Sequence, residues 1–219
     1  DGKIVVAGNR VAEDGSSNIL VARYDAAGTP DASFGAAGDD GTPEGFVNLS
    51  LGDGNDVARD VALQADGKIA VVGDSAAADG SSNFVLARLN ADGTPDEAFG
   101  VSEDGTPNGF VSTSLGEGND FATGLAIQTD GKLVVAGYHQ EGESTNIAVA
   151  RYTATGELDQ SFGQADDGTE NGVVNISLGE GDDVANAVAL QGDKLIVVAG
   201  TTAAADASKN IAVLRLTAE

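Results

Sequence analysis

Asp66–Gly73 reads DGKIAVVG. The same stretch occurs as DGKIVVAG at Asp1–Gly8, as DGKLVVAG at Asp130–Gly137 and, altered, as GDKLIVVAG at Gly192–Gly200. Self-similarity at a fixed period marks a repeat architecture, whose units bury their apolar faces against one another. Lys3, Lys68, Lys132 and Lys194 set the period, 62 to 65 residues apart. The chain therefore divides into units of about 1–65, 66–129 and 130–191 and a partial unit 192–219, together one repeat domain.

Outward from DGK, each full unit follows one order. The DGK strand leads to a polar turn and a second strand: ILVARY from Ile19, FVLARL from Phe84, IAVARY from Ile147 and IAVLRL from Ile211. A long loop follows, GTPDASFG from Gly28, GTPDEAFG from Gly93 and GELDQSFG from Gly156. After an acidic turn comes a third strand, FVNLSL at 46–51, FVSTSL at 110–115 and VVNISL at 173–178. A second acidic turn opens the fourth strand at 57–64, 121–128 and 184–191. These runs are short, rich in Val, Ile, Leu and Phe, and bounded by Gly, Asp and Asn, which is the strand signature. The DGK and second strands are apolar on both alternating faces and belong inside a covered sheet. FVNLSL alternates, Val47, Leu49 and Leu51 against Phe46, Asn48 and Ser50, so one of its faces is wetter. DVARDVALQ has the composition of a short helix. It is assigned as a strand because tight turns then give four antiparallel strands per unit.

The predicted fold is all-β: tandem four-stranded antiparallel blades, β-propeller-like, open or completed by another chain. A β-solenoid-like array is the runner-up. The combination of DGKI-V-AG, a second strand ending Ala-Arg-(Tyr/Leu) and the loop G-x-x-D-x-x-F-G resembles the delta-60 repeat family of bacterial tandem repeats, regarded as β-propeller forming. The resemblance covers three units and half of a fourth. It implies an exported or cell-surface repeat protein, often part of something larger, and no particular activity. The departures are GDK for DGK in the last unit and Leu158 where the others have Pro30 and Pro95.

Fourteen strands are expected, the first unit lacking a fourth-type strand before its DGK and the last lacking its third. Two chains would then hold 28 strands, seven blades' worth. Unpaired edges add strands, and head-to-tail pairing that does not close builds filaments. The expected partners are further copies of the chain or further repeats of a longer one. The start at Asp1, with no Met and no leader, reads as a processed or trimmed chain.

The formal charge is −24, from 35 acids against 11 bases. Such a surface repels nucleic acid and anionic lipid. No apolar run reaches the ~20 residues of a membrane helix. Without Cys there is no disulfide, thiolate site or Cys nucleophile, and the single His139 excludes a multi-His metal site. The balance points to an extracellular or cell-surface structural protein.

Eight of the 11 bases recur at fixed positions, Lys3, Lys68, Lys132 and Lys194 and Arg23, Arg88, Arg151 and Arg215. That regularity is structural. Each loop returns an Asp eight residues after the Arg, so Arg23–Asp31, Arg88–Asp96 and Arg151–Asp159 are the expected pairs. Phe34, Phe99 and Phe162 are expected as loop anchors between blades. Oxygen-rich turns on Gly are what Ca²⁺ takes, at six to eight ligands per ion. The candidate ligands are Asp39 and Asp40; Asp53, Asn55 and Asp56; Glu103 and Asp104; Glu117, Asn119 and Asp120; Asp166 and Asp167; and Glu180, Asp182 and Asp183. One turn supplies too few, so two would have to converge; the alternative is turn chemistry, in which Asp and Asn close tight loops. No catalytic set stands out and no enzyme is expected. His139 reads as a surface residue on a turn, where other units have Arg10 and Ser75.

Overall fold

The structure is a computed structural model that describes residues 2–35, 44–52, 54–100, 108–163, 171–179, 181–204 and 208–218. It contains the fourteen expected strands. The first sheet is β1 (Ile4–Val11), β2 (Ser17–Tyr24) and β3 (Phe46–Leu49). The second is β4 (Asp56–Leu63), β5 (Ile69–Ala76), β6 (Ser82–Leu89) and β7 (Phe110–Thr113). The third is β8 (Asp120–Ile127), β9 (Leu133–Glu141), β10 (Ser144–Tyr152) and β11 (Val173–Ile176). The fourth is β12 (Asp183–Gln191), β13 (Leu195–Ala203) and β14 (Lys209–Thr217). All pairings are antiparallel between sequence neighbours. These are β-propeller-like blades, and among the described residues they do not close into a ring.

The blades fall out of phase with the sequence units. Each full blade begins with the fourth strand of the preceding unit, here called the leading strand (β4, β8 and β12), and the DGK strand lies second in the sheet. Among the described residues the strands form four separate sheets of three, four, four and three. The third strands are also shorter than expected. Each leaves the ladder two residues early, because the amides of Leu51, Leu115 and Leu178 turn to the carboxylates of Asp56, Asp120 and Asp183.

The blades stack face to face in chain order. One cluster joins Val5, Ala7, Ile19 and Val21 of the first blade to Ile69, Val71, Val85 and Leu89 of the second. A second joins Ala70, Val72, Phe84 and Leu86 to Leu133, Val135, Ala148 and Tyr152 of the third. A third joins Val134, Ala136, Ile147 and Val149 to Ile196 and Val198 of the fourth. The DGK strand thus sends alternate residues to opposite neighbours, which is why it is apolar on both faces. The leading strands lie against the preceding sheet: β4 packs on β1 and β2, β8 on β5 and β6, β12 on β9 and β10.

One glycine per blade shapes this packing. Gly73, Gly137 and Gly200 face bulges in the leading strands, at Ala58/Asp60, Ala122/Gly124 and Ala185/Ala187. A Cβ on Gly137 would lie 2.0 Å from the Phe121 carbonyl oxygen. Gly8, the same position in β1, has nothing within 4 Å of its would-be Cβ. Gly137→Ala is therefore expected to destabilise by the overpacking cost of about 1–3 kcal/mol. Gly8→Ala is expected to leave the melting temperature unchanged or slightly raised, through the smaller unfolded-state entropy of Ala. Thermal melts of the two variants check the contrast.

Candidate functional site

The repeated bases, the loop Asp and the FG phenylalanine come together three times. Arg23 Nε meets Asp31 Oδ2 at 2.7 Å, Arg88 meets Asp96 at 2.6 Å, and Arg151 meets Asp159 at 2.7 Å. All three expected pairs form. The same carboxylate oxygen also takes the DGK lysine: Lys3 at 2.8 Å, Lys68 at 2.9 Å and Lys132 at 2.9 Å. The other oxygen accepts an amide two residues on, from Ser33, Ala98 and Ser161, which holds the loop's turn.

Each guanidinium lies over the loop phenylalanine, 4.5 Å from the Phe34 centroid, 4.3 Å from Phe99 and 4.7 Å from Phe162. Those rings are fully buried and sit in the clusters between blades, as anchors. The guanidinium then reaches forward. Arg23 Nη1 donates to the carbonyl of Ala91, Arg88 Nη1 to Ala154 at 2.6 Å, and Arg151 Nη1 to Ala218. A buried charge is tolerable because Nε of each guanidinium is paired with a carboxylate and Nη1 with a carbonyl, and Nη2 of Arg23 and Arg151 also reaches Ser33 and Ser161. The result is a clasp from each blade to the next. For Asp31, the Lys3 ammonium leads the effects that hold its carboxyl well below the usual range, with Ser33 and Arg23 adding to it. Burial raises the carboxyls of Asp96 and Asp159, but Lys68 and Lys132, then the turn donors and the arginines, outweigh it and leave both below the usual range.

The second acidic turn is also tied into the fold. Asp56, Asp120 and Asp183 are buried, and each accepts the Leu amide five residues earlier, at 2.8, 2.7 and 2.5 Å. Their neighbours reach back a blade. Asn55 Oδ1 accepts the Ser17 amide at 2.8 Å, Asn119 Oδ1 the Ser82 amide at 2.9 Å, and Asp182 Oδ1 the Thr145 amide at 3.1 Å. Glu117 is exposed. Asp39, Asp40, Asp53, Glu103, Asp104, Asp166, Asp167 and Glu180 lie outside the described residues. Among the described residues no three of His, Asp and Glu converge on one point.

The blades differ at the second oxygen of this Asp, which is paired at Asp56 and has no hydrogen-bond partner at Asp120 or Asp183 among the described residues. Opposite Asp56 in the ladder stands Ser75, whose hydroxyl donates to Asp56 Oδ1 at 2.5 Å. Opposite Asp120 stands His139. It is buried inside β9, not a surface residue on a turn, because β9 runs on to Glu141. Both its ring nitrogens and Asp120 Oδ1 are buried without a hydrogen-bond partner among the described residues. Burial pushes the Asp120 carboxyl up, against the Leu115 amide and the charge of His139. His139, Asn119, Gln140, Asn146 and Asn175 line an open cavity of about 1050 Å³ beside it. Sequence spacing gave no signal for this cavity, since its walls come from two blades and the turns between them.

The chain matches a family model described as a domain of unknown function (DUF5122) beta-propeller, over residues 1–34, 64–99 and 128–162. The matched segments make up just under half of the chain, which is similar to this family in its β-propeller-type repeats. Each matched segment starts at or two residues before DGK and ends on the anchoring phenylalanine, so each contains the Lys, Arg, Asp and Phe of one clasp. Comparison with curated proteins gives no match.

The clasp predicts a graded response. Asp96→Asn breaks a buried pair and is expected to cost about 3–5 kcal/mol. Lys68→Ala removes a more exposed partner and is expected to cost about 1 kcal/mol or less. Because the folded carboxyl of Asp96 is depressed, its stabilisation is fully present above the ordinary Asp value of about 3.9 and is lost as pH falls through the lower folded value. The gap in melting temperature between wild type and Asp96→Asn should therefore be full at pH 7 and shrink below about pH 4.

Proposed function

We propose that this propeller domain is a non-enzymatic structural module of an extracellular or cell-surface protein, which assembles end to end with further copies. One observation carries the reading: the two end faces of the stack are apolar and bare. Ile4 and Val6 are 50% and 48% exposed, whereas their counterparts Ile69 and Val71 are 1% and 0% exposed beneath the preceding blade. At the other end Ile211 and Val213 are 86% and 66% exposed, although Ile147 and Val149 at the same positions are fully covered. The three internal junctions show what covers such faces, namely another blade. The sheet face is thus the stronger driver of assembly, and the open edges add backbone pairing to it. The acidic, Cys-free composition supports a place outside the cell, in keeping with the delta-60 resemblance.

Sedimentation across a concentration series tests this. Association beyond the 21.8 kDa monomer is expected, and Ile211→Asp should reduce it without lowering the melting temperature. A monodisperse monomer at every concentration and salt level would overturn the reading.

The cavity beside His139 favours a second reading, a ligand- or calcium-binding propeller module of a larger adhesin. On that reading the melting temperature rises in calcium and falls in chelator. A melt indifferent to both removes calcium from it.

A further inference from the structure

Each blade with a leading strand carries a polar row across three strands, and the rows differ at one place. In the third blade the register sets Asp120, His139 and Asn146 side by side. The second blade aligns Asp56, Ser75 and Asn83 in the same way, and the fourth Asp183, Thr202 and Asn210. The outer members are Asp and Asn in all three, and only the middle residue changes. Where it is Ser75, its hydroxyl satisfies the Asp56 carboxylate. Where it is His139, that bond is gone: Asp120 Oδ1 and both imidazole nitrogens are buried and unpartnered among the described residues. The fourth blade leaves Asp183 Oδ1 open too, but without an imidazole beside it. Polar atoms buried without partners cost stability, so three of them together need a reason outside the packing of the blade.

The cavity beside them supplies the second observation. His139 stands in the wall of this space of about 1050 Å³ between the second and third blades, with Asn119, Gln140, Asn175 and Ser177. Its Nδ1 faces Gly116, where a Cβ would lie 3.9 Å away. The matching glycines, Gly52 and Gly179, face the backbone carbonyls of Ala76 and Ala203 instead. The cavity lies at the top of the roughly 300–1,000 Å³ range of small-molecule sites. Such sites are mostly apolar, whereas this one is walled by amides, hydroxyls and an imidazole. Among the described residues no lysine or arginine lines it, so an anion would be desolvated there without a counter-charge. Asp120 and His139 are two ionisable ligands where a bound metal takes more, and no third joins them among the described residues.

We propose that this cavity binds a neutral saccharide, recognised by Asp120 and His139 as a pair. A hydroxyl donates one hydrogen bond and accepts others, and a neutral imidazole offers a donor at one nitrogen and an acceptor at the other. Two adjacent hydroxyls of a sugar ring therefore match this pair. One donates to Asp120 Oδ1, and its neighbour bonds the imidazole of His139. Asn175 and Ser177, exposed in the same wall, extend the polar contacts along the sugar chain. The middle position of the row is then the one that decides between blades: serine closes the Asp internally, and histidine opens it to a ligand. The inference rests on the ligand-binding reading given above and names its ligand class.

His139 is the only histidine of the chain, so its ring-proton NMR signal is a built-in reporter. Maltotetraose, cellotetraose, mannotetraose and chitotetraose are titrated separately into the full chain at millimolar concentration, with Zn²⁺, Ca²⁺ and oligolysine as further probes. A saturable shift of the His139 signal is expected with at least one saccharide. Gly116→Val puts methyl groups in front of Nδ1 and should weaken that binding about tenfold, the loss of one net hydrogen bond. Gly52→Val, the same change one blade earlier, should bind as wild type. His139→Ser, followed by calorimetry, should also lose about tenfold in affinity while melting cooperatively, since serine can make the bond seen at Asp56. Wild-type affinity in Gly116→Val or His139→Ser overturns the proposal. A His139 shift with Zn²⁺, Ca²⁺ or oligolysine and with no saccharide overturns it and leaves the ligand-binding reading standing. Silence toward every probe overturns both.

Discussion

A sheet that is apolar on both faces cannot stand alone in water, and that constraint organises the whole chain. Val71 and Val72 are neighbours in β5, yet one is buried against the first blade and the other against the third. Because a strand's side chains alternate, every DGK strand makes two demands for cover at once. The short, apolar DGK stretch can therefore exist only as an inner layer of a stack. Repetition of the sequence is the means of meeting that demand, since each blade offers its neighbour the surface that the neighbour needs.

The charged residues are placed within this constraint. Three arginines and three lysines are drawn into clasps between blades. Few bases remain to balance 35 acids, so the outer surface is overwhelmingly acidic. The clasp also resolves an apparent conflict at the junctions. The guanidinium that would be costly to bury between apolar sheets lies on a phenylalanine ring, pairs with a carboxylate and caps a carbonyl of the next blade. Cation–π contact and the paired carboxylate and carbonyl make the charge compatible with the junction.

The strands, their order and the Arg–Asp pairs were legible in the sequence because each is local or recurs at a fixed interval. Arg88 and Asp96 are eight residues apart in all three copies, so the pair can be counted. Lys68 joins the same carboxylate from 28 residues away, and its regularity signalled a structural role without naming the partner. The inter-blade reach of Asn55 to Ser17 was not legible. An Asn in a Gly-rich turn is common, and only the stacking distance between blades decides which amide it meets. His139 was misplaced by the same kind of ambiguity. One residue at a strand's end separates a turn from a buried ladder position, and the longer β9 decides it. The phase of the blades was partly visible, since the strand before DGK could be seen, but the grouping into four sheets required the pairings themselves.

The forward direction of the clasp has a consequence for how the chain acquires its structure. Arg23 ends on Ala91, Arg88 on Ala154 and Arg151 on Ala218, always one blade ahead and never behind. During synthesis from the amino terminus, a blade that has left the ribosome still lacks the carbonyl its guanidinium needs. It also lacks the leading strand that will cover its exposed face. Maturation therefore trails elongation by one blade, and the unfinished surface at any moment is the most recent one. In a stack with nearest-neighbour coupling of this kind, each blade added completes the one before it.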